Sequence, residues 1–204
     1  ANAVAARQPS PRVTPPSVLR PLSLSLSSPF PSSVVSCEGG ALAGLGNVRY
    51  PEVVLGPPQG AGNAGSLDVL SLGEAGEVVL RFDGIELVDG DGPDLLVFEN
   101  PFTNWYETGV VAVSADGMTW FEWNCDPEDA TSLYPGCAGV GLVWANPDNG
   151  IDPTDPESAG GDAFDRADLD IPPAHLADLG VRGFRYVRIR DSGRNSYGGI
   201  SGGF

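Results

Sequence analysis

The sequence predicts an all-β domain of the β-sandwich or jelly-roll kind, with long acidic loops, one short helix and an extended N-terminal arm. Three observations carry that prediction. Short apolar runs recur with the two-residue alternation of half-buried strands. The 28 glycines and 19 prolines are scattered between those runs and form no periodic repeat, which is what many short strands joined by tight turns require. Only one stretch carries helix start and stop signals. At 204 residues and 41% hydrophobic content, the chain can fill a sizeable core.

Residues 1–33 read as an arm, because Pro9, Pro11, Pro15, Pro16, Pro21, Pro29 and Pro31 preclude a helix and serine fills much of the rest. Within it, Leu22, Leu24 and Leu26 alternate with serine at strand period. Two readings of that pattern stay open: the arm folds back on its own domain, or it adds as a strand to the sheet of an adjacent copy. The domain proper is expected over 34–204. Strands are expected over 48–55, 77–82, 95–99, 109–114 and 184–190. Val78, Leu80 and Phe82 should share one face, and Tyr186, Arg188 and Arg190 should oppose Val187 and Ile189. Asp83-Gly84, Asp116-Gly117 and the 90–93 stretch supply turn residues. The one helix is expected over 172–180, where two prolines open the segment and Gly180 closes it.

A formal net charge of −16 argues against nucleic acid and anionic membrane as partners and makes cations the natural counter-charge. No apolar run approaches the roughly 18 residues that span a bilayer, so membrane insertion is not expected. A chain that starts Ala1-Asn2-Ala3 fits one whose signal peptide has been removed, and so a secreted location. Of three cysteines, Cys125 and Cys137 enclose a turn-rich loop short enough to bridge in an oxidising compartment. Cys37 is left over, as a buried thiol or as a partner for another chain.

Acidic residues concentrate in two loops. The first holds Asp89, Asp91 and Asp94 among Gly90, Gly92 and Pro93, and leads into a strand that ends at Glu99 and Asn100. Calcium takes six to eight oxygen ligands, and alternating aspartate with glycine lets a tight loop fold several of them round one point. The loop lacks the terminal glutamate and flanking helices of an EF-hand. The second cluster runs over 148–165 and holds Asp152, Asp155, Glu157, Asp162 and Asp165 in a segment with no strand pattern; loops of that length are functional or disordered.

Taken in order, "SLDVLSLGEAGEVVLRFDG", "DGDGPDLLVFENPF", "ETGVVAVSADGMTWFEW", "GGDAFDRADL" and "FRYVRIRD" resemble the motifs of a family of secreted bacterial cell-surface domains with VFEN and SxDG elements, over about residues 50–191. The resemblance implies a β-sandwich or jelly roll, export, structural calcium and no catalytic activity. It places acidic positions at Asp94, Glu99 with Asn100, Glu107, Asp116 and Asp165. It also implies a last strand beginning where this sequence reads Gly202-Gly203-Phe204.

Catalysis finds little to work with. His175 is the only histidine, and no nucleophile elbow accompanies it. Nothing singles out two carboxylates of opposed acidity for glycoside cleavage. The aromatic residues Trp105, Tyr106, Trp120, Phe121, Trp123 and Trp144 could serve another purpose, since exposed rings stack on sugars. The expectation is therefore a calcium-binding structural or adhesive surface protein, a subunit of an extracellular assembly that contacts copies of itself or other surface components. The alternative is a carbohydrate-binding module for polysaccharide with Trp105, Tyr106 and Trp123 as its platform. The expected calcium ligands are Asp89, Asp91, Asp94, Glu99, Asn100 and Glu107, with Asp155, Asp162 and Asp165.

Overall fold

The computed structural model describes residues 3–6, 27–99, 102–197 and 200–201, with side chains up to residue 193. Strands dominate its regular structure: two antiparallel sheets and one short helix, α1 (His175–Asp178).

The larger sheet follows the order β2 (Ser33–Glu38), β3 (Glu77–Arg81), β8 (Tyr186–Tyr197), β5 (Trp105–Ser114) and β6 (Phe121–Glu122), and β9 (Ile200–Ser201) also pairs with β8. Its alternation follows the sequence pattern. Val78 and Leu80 on β3, Val111 and Val113 on β5, and Val187 and Ile189 on β8 point into one core. The opposite face is charged, with Arg188 between Glu77 and Glu122 and its guanidinium over Trp120 at 4.7 Å. One face packs and the other meets water, as antiparallel sheets allow.

The smaller sheet has the order β1 (Ala3–Ala6), β4 (Leu95–Phe98) and β7 (Asp162–Phe164). Val4, Leu95, Val97 and Phe164 join the same core as the larger sheet. The other face is covered as well: Ala3, Ala5, Leu96 and Phe98 pack against Val143, Ala145 and Ala159. A strand buried on both faces can be apolar throughout, which is why 95–98 reads Leu-Leu-Val-Phe without alternation.

Two expectations need correction. Residues 3–6 are no appendage: at 0–1% exposure they form an inner strand, pairing Val4 with Val97 and Ala5 with Leu96 of their own chain. Four small residues fit where the sheet lies close to its cover. Residues 48–55 are not a strand but two 3-10 turns, Asn47–Arg49 and Glu52–Val54, separated by Pro51, which cannot donate to a ladder. Leu22, Leu24 and Leu26, the expected arm contacts, lie outside the described residues, as do Asn100 and Phe204.

Cys125 and Cys137 form the expected disulfide with Cα atoms 4.5 Å apart. Cys37 is a free, half-buried thiol on β2, and burial pushes its pKa up. Among the described residues no helix is long and apolar enough to cross a membrane.

Candidate metal centre

Strand register assembles the site. Leu95 on β4 pairs with Phe164 on β7 in antiparallel fashion, so the residues just outside that pair, Asp94 and Asp165, fall on the next rung. The Asp94 amide completes that rung by donating to the Phe164 carbonyl at 2.9 Å. Asp89 arrives from the preceding turn, which Gly90 tightens by donating its amide to Asp94 Oδ1 at 2.9 Å. Asp89, Asp94 and Asp165 each bring one carboxylate oxygen within 4.8 Å of the other two.

The three differ in surroundings. Asp94 is 3% exposed, and its other oxygen accepts the Arg166 amide at 3.1 Å. Burial raises its pKa, the Arg166 and Gly90 amides pull it down, and the like charges of Asp165 and Asp89 raise it further. Asp165 caps the 3-10 turn Arg166–Asp168 by accepting the Ala167 amide at 2.8 Å, and its carbonyl accepts the Trp123 indole N–H at 2.8 Å. Asp89 is exposed.

These donors fit a hard divalent cation. They are carboxylate oxygens gathered within 4.8 Å, those of Asp94 and Asp165 keep lone pairs to spare beside their amide bonds, and a cation there would offset the mutual repulsion that now acts on a buried group. Backbone carbonyls and water would complete a shell of six to eight.

The other expected ligands lie elsewhere. Asp91 sits on the Asp89 turn but outside the close trio. Glu99 follows β4, about 16 Å from Asp94 at strand rise, and with Glu107 and Asp191 it lines a separate cavity together with Leu72, Val97 and Ile189. Asp155 closes its own turn, accepting the Glu157 amide and the Ser158 hydroxyl.

Asp162 has a different task. Its carboxylate accepts three successive backbone amides, Gly139 at 2.7 Å and Val140 at 3.1 Å on Oδ2 and Gly141 at 2.9 Å on Oδ1. Consecutive amides turned to one point make an anion nest, and here the anion is a side chain of the same molecule. Burial raises the Asp162 pKa and the three amides oppose it. No side-chain partner marks this role in the sequence; only the spacing of Gly139 and Gly141 hints at a backbone bent tightly enough to converge. Gly139 has φ +92°, and a Cβ there would meet the Glu107 carbonyl at 2.1 Å.

The expected sugar platform is dispersed. Trp123 is 5% exposed and packs against Phe164 in the core, so its faces are covered. Tyr106 leans on Tyr134, and Trp105, its neighbour along β5, points to the opposite side. His175 packs edge-on against Phe121, and Asp116 organises its own turn by accepting the Met118 and Thr119 amides, which lower its pKa.

Comparison of the chain with protein-family models, curated proteins and solved structures finds no match.

Proposed function

We propose that this chain is a non-enzymatic, extracellular β-sandwich domain of a bacterial surface, in which calcium held by Asp89, Asp94 and Asp165 locks the acidic loops to the sheets. Its role on this reading is structural or adhesive, joining copies of itself or other surface components. The observation that carries the metal is the state of Asp94: a buried carboxylate on which both acting charges are negative. Such a group costs free energy without a cation and contributes with one. The disulfide Cys125–Cys137 supports an oxidising compartment. The sandwich reading rests on both sheets feeding one core.

Calcium titration by calorimetry, with thermal melts in chelator and in excess calcium, tests the proposal. An ion that binds only the folded state adds about 2.7 kcal/mol at a hundredfold excess over its dissociation constant. Asp94→Asn separates a ligand from a structural acid. As a ligand position, it loses the calcium response; in chelator its melt carries two opposed effects, relief of a repelled buried charge and loss of one of the two amide bonds from Gly90 and Arg166, so the calcium response is the readout that decides. Identical melts of the parent protein with and without calcium refute the reading.

A further inference from the structure

An open groove of roughly 690 Å³ runs beside residues 59–68, within the range of about 300–1,000 Å³ typical of small-ligand sites. Its polar lining is Gln59, Ser66, Asp68, Asn146 and Arg49, beside the apolar Leu67. Arg49 is paired with Asp68 and also donates to the Leu67 carbonyl at 3.2 Å, so the cation is held in place and neutralised. Asn146 donates one amide proton to the Gly60 carbonyl at 3.1 Å, which fixes the side chain and leaves its second proton. Gln59 is exposed and makes no hydrogen bond among the described residues.

Two exposed rings from other segments lie against the same 59–68 stretch. Trp144 is 44% exposed, and the ring lies close against glycine backbone: a Cβ on Gly62 would stand 2.3 Å from the ring and one on Gly160 2.7 Å from it. Phe102, 43% exposed, lies the same way on Gly65, where a Cβ would come within 2.3 Å. Three glycines therefore let two rings approach the backbone closely while each keeps a large exposed surface, Phe102 also tilting against Trp105. Strand geometry explains why Trp144 is outside. Its neighbours Val143 and Ala145 are buried and their carbonyls accept the Gly62 and Gly60 amides, so residue 144 turns outward.

We propose that this groove, with Trp144 beside it, binds a neutral hexose polysaccharide. A sugar ring presents an apolar C–H face and a rim of hydroxyls that both donate and accept. The first matches an aromatic ring already fixed in orientation; the second matches the planar amides of Gln59 and Asn146 and the Arg49–Asp68 pair. Rings and amides held in place before binding lose little entropy on binding. With Arg49 neutralised and a chain charge of −16, the surface disfavours anionic glycans. The site shares no residue with the aspartate trio, so it stands or falls independently of calcium.

Native electrophoresis through gels cast with soluble starch, mixed-linkage β-glucan, galactomannan or arabinogalactan tests this, with alginate as the acidic comparison. The expected result is retardation in at least one neutral gel that persists in chelator. Trp144→Ala should weaken it about tenfold, and Trp144→Phe should restore part of it. Gln59→Ala, a change on the surface that leaves packing untouched, should weaken it less and guards against a misfolded tryptophan variant. The proposal is overturned by free migration in every neutral gel, by retardation in alginate alone, by retardation lost in chelator, or by retardation unchanged in both alanine variants.

Discussion

Replacing Asp162 by asparagine removes the charge that three amides converge on. The geometry sets the magnitude. Oδ2 accepts from Gly139 and Val140 and Oδ1 from Gly141, so an asparagine oxygen can serve the pair or the single amide, while its NH2 must face a donor at the remaining position. At least one bond to a charged acceptor is lost outright, those that stay lose their charge assistance, and a buried N–H is left facing another. With net values near 1 kcal/mol per bond and 1–3 kcal/mol for an unsatisfied buried donor, the cost is about 2–4 kcal/mol. For a chain of this size that is roughly 6–12 °C in melting temperature. Urea unfolding at neutral pH should show a lower midpoint at unchanged slope. Amide exchange should show lost protection at residues 139–141. A cost under about 1 kcal/mol with those amides still protected would refute the role assigned to Asp162.

Three further outcomes follow from other parts of the molecule. Replacing both Cys125 and Cys137 by serine opens a loop of sequence separation 12 and should lower stability by about 3 kcal/mol, read as a thermal shift absent from the parent unless reductant is added. Val4→Asp puts a charge at a position with no exposure in β1 and should cost more than about 4 kcal/mol in chemical denaturation; a mild effect would mean that residues 3–6 are dispensable. Acid should weaken calcium binding: the raised pKa of Asp94 means that in chelator its cost is present at neutral pH and relieved as pH falls through the folded value toward the unfolded one, whereas with calcium bound the carboxylate must stay ionised. The apparent calcium dissociation constant should therefore rise as pH falls through that range, and a pH-independent constant would exclude Asp94 as a ligand.

Strands with one wet face were legible because alternation is a local pattern: Val78 and Leu80, or Val187 and Ile189, announce their face two residues at a time. The extension of β8 from 190 to Tyr197 was not, since Asn195, Ser196 and Tyr197 continue a backbone ladder with Glu107, Tyr106 and Trp105 that apolar pattern cannot report. Residues 48–55 carry enough valine to suggest a strand, but Pro51 splits them into turns that bury Val53 and Val54 and leave Val48 in water. Ala3–Ala6 gave no signal, because three alanines and a valine acquire meaning only from the close-packed layer they enter. At the site, the acidic loops were visible as composition, and the structure brings Asp89, Asp94 and Asp165 of those loops together. Which acids meet depends on register between strands distant in sequence, and the amide bonds that Asp162 accepts give no sequence signal because their donors are main-chain groups, which every residue but proline possesses.

That register also explains why an acidic loop could become a site at all. Aspartates on an unrestrained loop repel and spread, and gathering them costs conformational entropy as well as Coulomb energy. Here the gathering is done by folding. β7 is only three residues long, yet the Asp162 nest fixes its start, and its far end is fixed where the Asp165 carbonyl meets Trp123 and the Asp165 carboxylate caps the next turn. Asp94 and Asp165 then have no independent positions, because the pairing of Leu95 with Phe164 places both. A site of this kind is absent from the unfolded chain, so whatever free energy a cation gains there goes into the folded state, and the energy that folding spends on bringing the three charges together is what makes the site bind. On this argument Asp162→Asn should weaken calcium binding although residue 162 lies outside the trio, because it loosens the strand that carries Asp165.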